Sequence, residues 1–164
     1  MQKLSTIILL CFVAHCILSK KIKQPPTVVH MYRLFHPTVK DHYLTSDHNK
    51  YVHLSANGWH GDEERFQCFM HPQAPFNVPL FQMYNHGAQD HLLTTSAAER
   101  DGLVHSGWVY EGVACYCGSS GGDAPLTRFY NPSESNHLSS TCERTELTKH
   151  GWIKEGVQCF VFLP

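Results

Sequence analysis

Three stretches of this chain carry the same anchors in the same order: YRLFHPTVKDHYLTSDHNKYVHLSANGWHGDEERFQCF, FQMYNHGAQDHLLTTSAAERDGLVHSGWVYEGVACY and TRFYNPSESNHLSSTCERTELTKHGWIKEGVQCF. Phe35, Tyr84 and Tyr130 stand seven residues ahead of His42, His91 and His137, which directly follow Asp41, Asp90 and Asn136. Next come the pairs Gly58-Trp59, Gly107-Trp108 and Gly151-Trp152, then Cys68-Phe69, Cys115-Tyr116 and Cys159-Phe160. A period of roughly 45 residues is that of repeat architectures, whose units bury an apolar face only by packing on each other. The repeats are bounded at about residues 31–71, 80–117 and 126–163.

Within a repeat the pattern reads strand, strand, short helix, strand, strand. Tyr32 and Leu34 alternate with Arg33 and Phe35, as a period of two requires. Ser96 with Glu99 three residues on forms a capping box, and Gly107 stands where a helix-ending glycine belongs. Ser140, Glu143 and Gly151 are expected to repeat that grammar. Short strands with raw edges do not close a core singly. Three units of four strands predict a mainly β domain with short helices, a pseudo-threefold β-trefoil-like fold. The alternative is another closed threefold β arrangement.

The repeats fill one domain, residues 31–164, behind a linker over 20–30. Residues 1–19 carry Lys3, an apolar run over 7–18 and a basic flank at Lys20-Lys21, the pattern of a secretory signal peptide. That run is too short for a span of ~20 apolar residues. The expected product is secreted, with no membrane insertion. Lys and Arg total 13 against 14 Asp and Glu, with no basic run after Lys23, so no nucleic-acid partner is expected. Five cysteines follow the leader: Cys68, Cys115, Cys117, Cys142 and Cys159. An odd count in an oxidising compartment implies up to two bridges plus a free thiol or a disulfide-linked dimer. Their pairing is not readable from the sequence.

The string FYNP at 129–132 followed by His137, together with DHLLTTSAAERDGLVHSGWVYEGVACY at 90–116, resembles the secreted repeat domain of unknown function DUF5648. The resemblance covers nearly everything from Met31 to Leu163. Such domains often accompany extracellular hydrolases of cell walls and polysaccharides, which implies carbohydrate or cell-surface binding. The first copy departs from the pattern, reading WHGDEERFQCF with two extra residues and no Glu-Gly pair. Asn136 replaces the acidic residue in the third, and cysteines stand where small or apolar residues are expected.

The repeated tryptophans suit stacking on sugar rings, but a Trp after a helix-ending glycine reads better as a packing wedge between helix and strand. The Asp-His pairs suit ligand or metal binding, yet a polar pair fixed in every unit reads better as satisfying turn backbone. His30, His36, His42 and His48 recur every six residues, but Pro37 interrupts the strand and no tight ligand pair results, so no metal is expected. More informative are the first strands, where Arg33 with Phe35, Gln82 with Tyr84, and Arg128 with Tyr130 are expected on an outward face, with Asn85 and Asn131 next to the tyrosines. An aromatic platform beside an amide and a guanidinium suits a polyhydroxylated ligand. The candidate ligand-binding residues are therefore Tyr84, Asn85, Tyr130, Asn131, Arg128, Phe35, Asp90 and His91. No nucleophile elbow, zinc-protease helix or phosphate loop occurs, so neither catalysis nor a cofactor is expected. The expected function is noncatalytic recognition of a glycan, cell-wall or cell-surface ligand. The alternative is a structural or protein-protein interaction module without glycan binding.

Overall fold

The computed structural model describes residues 26–142 and 145–164. The expected signal peptide and Glu143 of the third capping box lie outside the described residues. The first unit comprises β1 (Val28–His36), β2 (Asp41–Thr45), α1 (His48–Ser55) and β3 (His60–Phe69). The second comprises β4 (Val78–Asn85), β5 (Asp90–Thr94), α2 (Ala97–His105) and β6 (Val109–Cys117). The third comprises β7 (Ala124–Asn131), β8 (Asn136–Ser140), α3 (Thr145–Lys149) and β9 (Ile153–Val161). In each, the first strand lies between the short second strand and the long third, antiparallel to both.

Local chemistry explains these elements. Each hairpin closes through a residue in the left-handed region, Lys40, Gln89 or Ser135 (φ 65°, 55° and 51°), directly before the second strand. Asp47 caps α1 by accepting from the Asn49 and Lys50 amides, and Ser96 caps α2 by accepting from Glu99 N–H. Gly58, Gly107 and Gly151, at φ of 89°, 90° and 85°, end the helices. That left-handed step lets the amides of Trp59, Trp108 and Trp152 reach back to the carbonyls of Leu54, Leu103 and Leu147. The Ser140 hydroxyl donates to Glu64 Oε2 (2.8 Å) and accepts from Cys142 N–H (3.2 Å).

The trefoil expectation is overturned. Six strands form one open sheet in the order β2-β1-β3-β6-β4-β5, and β8-β7-β9 form a second sheet, so the ladder does not close. The third and fourth strands expected in each unit are one strand. In β6 and β9 it passes through a bulge at Gly112 and Gly156 (φ 120° and 132°), where the register with β4 and β7 shifts. Three strands and a helix per unit leave too few strands for a trefoil barrel. The second strands instead pack together at the centre, β2 on β5, β5 on β8 and β8 on β2.

Strand register also corrects the cysteine alignment. Val29 faces Cys68 as Val78 faces Cys117 and Ala124 faces Val161, whereas Met31 faces Phe66 as Leu80 faces Cys115 and Leu126 faces Cys159. Cys68 therefore corresponds to Cys117, each nine residues after the tryptophan of its unit, so the two-residue excess expected in the first copy disappears. The disulfides Cys68–Cys115 and Cys117–Cys159 join corresponding positions of successive units. At the third such junction stand Phe66 and Val161, both fully buried in the central apolar cluster. With its cysteines 47 and 42 positions apart in sequence, each disulfide stabilises by about 4 kcal/mol in the loop-entropy treatment. Among the described residues Cys142 is the free, exposed thiol.

Candidate functional site

Each histidine of the second strands is gripped by two units. Asp41 accepts from His91 N–H at 2.9 Å and meets its Nδ1 at 2.6 Å. Asp90 does the same for His137 at 2.8 and 2.6 Å. Asn136 completes the cycle at His42 Nδ1 (2.8 Å). Because Asn136 turns its amide nitrogen to Asp90 (3.4 Å), its oxygen faces His42, and Nδ1 carries the proton. Phe35, Tyr84 and Tyr130 lie over the histidine of their own unit with centroids 4.7, 4.3 and 4.6 Å away. Trp152, Trp59 and Trp108 meet those rings edge-on from the preceding unit at 5.9, 6.5 and 6.2 Å. The half-buried tryptophans thus wedge between units, where a wedge between helix and strand was expected.

The cycle is electrostatically uneven. Burial, then the nearby Arg33 guanidinium, lowers the His42 pKa to about 4. Burial also disfavours protonated His91, but hydrogen bonds to Asp41 and Glu111 outweigh it and raise its pKa. An anionic partner in place of an amide accounts for the difference. The void where His42, His91 and His137 converge has a volume of about 10 Å³, the scale of a single water.

Two of the three interfaces between units are bridged. Between the second and third, Arg128, held by Glu155 of its own unit (2.6 Å), binds Glu99 (2.9 and 3.1 Å) and the Leu93 carbonyl (3.2 Å). There Gln158 also accepts from Thr95 N–H (3.3 Å), and its carbonyl from the Thr95 hydroxyl (3.1 Å). Between the third and first, Arg33, held by Asp62 of its own unit (2.7 Å), binds the Ser139 carbonyl (2.8 Å), while Glu64 accepts from Ser140 and from the amide and hydroxyl of Thr141.

The interface between the first and second units has lost these bridges. Gln82 stands in place of the arginine and donates to Glu111 Oε2 at 2.9 Å. Ala114, in place of Gln158, is too short to reach across. A cavity of about 250 Å³ opens there. Met31, Leu44 and Val113 give it apolar surface; Tyr43, Thr45, Ser46, Lys50, Gln82 and Glu111 give it polar groups. Lys50 Nζ lies 4.5 Å from the Tyr43 ring centroid. The hydrogen bond from His91 holds Glu111 below the usual carboxylate range against the opposing effect of burial, with Gln82 and Lys50 adding to it.

None of the eight candidate residues from the sequence lines this cavity. Arg33, Gln82 and Arg128, expected on an outward face, are 2 %, 7 % and 7 % exposed, because the neighbouring unit covers that face. The carbonyl oxygens of the Asn85 and Asn131 side chains accept from the amides of Gly87 and Ser133 and so close the hairpin turns. Asp90 is buried on His137, and His91 reaches the cavity only through Glu111. Sequence reasoning missed Tyr43, Thr45, Ser46 and Lys50. The signal that finds them is the pair of departures Ala114 for Gln158 and Lys50 for Glu99. Among the described residues no group of His, Cys, Asp or Glu is arranged to hold a metal ion.

A family model described as a domain of unknown function, DUF5648, matches residues 30–162. Neither the curated proteins nor the solved structures contain a match to the chain.

Proposed function

We propose that this chain, which belongs to the DUF5648 family, is a secreted, noncatalytic module that binds a carbohydrate or cell-surface ligand in the cavity between its first and second units. The three β–β–α–β units are then copies of one segment, and the ligand site is the interface where the copies ceased to match. One observation carries this reading: the interface that lacks the arginine and glutamine bridges of the second is the one that opens a cavity with apolar surface and convergent hydroxyl, amide, ammonium and carboxylate groups. Concave apolar surface with a few placed polar groups is what small ligands require, and mixed donors and acceptors suit hydroxyl-rich ones. The cavity carries one carboxylate, Glu111, whereas glycoside hydrolysis ordinarily uses two. Secretion is supported by the leader-like N-terminus and by two disulfides, which persist in oxidising compartments. No helix among the described residues is long and apolar enough to cross a membrane.

Ala114→Gln tests the assignment by restoring the side chain that bridges the neighbouring interface. On an array of glycans and cell-wall fragments, the wild-type chain is expected to bind and Ala114→Gln to lose at least tenfold in affinity, with an unchanged or raised melting temperature. Undiminished binding by a folded Ala114→Gln protein, or no binding by the wild type at millimolar ligand, overturns the proposal.

A further inference from the structure

Resting on that reading of the cavity, we infer that its ligand is a sugar bearing an acidic group, with the anion on Lys50 and neighbouring hydroxyls on Glu111. Counted from the helix caps Asp47 and Ser96, Lys50 occupies in α1 the place of Glu99 in α2. At the second interface, helix-borne Glu99 meets its counter-charge, Arg128, on the next unit's first strand. At the first interface the helix-borne charge is inverted to Lys50, and the place of Arg128 is taken by neutral Gln82. The protein thus pairs the helix-borne charge directly at one interface, whereas at the other Lys50 makes no ion pair among the described residues and meets Glu111 only at longer range across the cavity.

The geometry around Lys50 agrees. Its ammonium lies over the Tyr43 ring, a placement that removes part of its water while leaving its N–H donors open. Glu111 uses Oε2 for both Gln82 and His91 (2.9 and 3.4 Å). Among the described residues its Oε1 receives no hydrogen bond, so it stands as an acceptor for ligand hydroxyls. Tyr43, Thr45 and Ser46 add hydroxyls around the same space. The volume, about 250 Å³, sits just below the range of drug-sized pockets, and so fits one sugar unit better than an extended chain.

Calorimetric titration of the whole chain with glucuronic acid, glucose 6-sulfate and glucose tests the inference; the first two distinguish a carboxylate from a sulfate as the preferred anion. At least one acidic sugar is expected to bind tenfold or more tighter than glucose, with the preference shrinking in 1 M salt, where the screening length is ~3 Å. Lys50→Met is expected to remove the preference and Lys50→Arg to keep it, with thermal melting confirming that both fold. Equal binding of glucose and the acids, or a preference that survives Lys50→Met, overturns the inference. If glucose binds and Ala114→Gln removes it, the cavity assignment stands and the acidic ligand alone falls. If no sugar binds, acidic or neutral, both fall.

Discussion

At the scale of single residues, His42 and His91 hold matching places in their units and shift in opposite directions, because their partners differ in charge. Asp41 grips His91 and raises its pKa together with Glu111, whereas Asn136 offers His42 an uncharged oxygen beside Arg33, and His42 falls to about 4. In an unfolded chain both titrate near 6.5. Below that value the unfolded chain takes up a proton that folded His42 refuses, so this site loses on the order of 3 kcal/mol of stability between about pH 6.5 and about pH 4. His91 acts in the opposite sense: its contribution is complete below ~6.5 and is lost as pH rises through its raised folded pKa. Asn136→Asp gives His42 the anion its counterparts have. NMR titration of the His42 ring is expected to show its pKa rising by at least one unit, with the acid-side loss of stability reduced; an unmoved His42 contradicts the charge argument.

At the scale of elements, what was legible in the sequence was local. The helix-ending glycines and the Ser96 cap work as read because each needs only its own few residues, and Gly107 shows why. Its φ of 90° lets Trp108 N–H reach the Leu103 carbonyl, and no atom beyond its chain neighbours lies within 4 Å of where a Cβ would stand. Gly107→Ala therefore adds backbone strain without a clash. A cost of ~1–2 kcal/mol is expected as a few degrees' fall in melting temperature with an unchanged circular dichroism spectrum; an unchanged melting temperature means that this turn does not demand glycine. What the sequence concealed depends on partners distant along the chain. The bulge that runs two expected strands into β6 depends on pairing with β4. The two-residue offset of Cys68 depends on register with Val29. The count of strands, and with it the trefoil, failed for the same reason.

At the scale of the whole molecule, near-symmetry stabilises the fold, and the interface that departs from it at Lys50, Gln82 and Ala114 opens a cavity. Disulfides and ion-pair bridges tie successive units, and Phe66 with Val161 fill the junction that has no disulfide. The letters shared by all three copies build that frame, which is why Tyr84, Tyr130 and the Asp-His pairs drew attention and proved to be packed on one another. The candidate site lies where the copies disagree, at Lys50, Gln82 and Ala114, and comparing the repeats for their differences would have exposed it. The most direct test is a two-dimensional amide NMR titration of the full chain with the glycan that binds best on the array. Shifts are expected to cluster at Thr45, Ser46, Lys50, Gly112 and Ala114. Shifts centred on Asn85, Tyr130 and Asn131, or spread evenly over the three interfaces, would contradict a single site at the broken one.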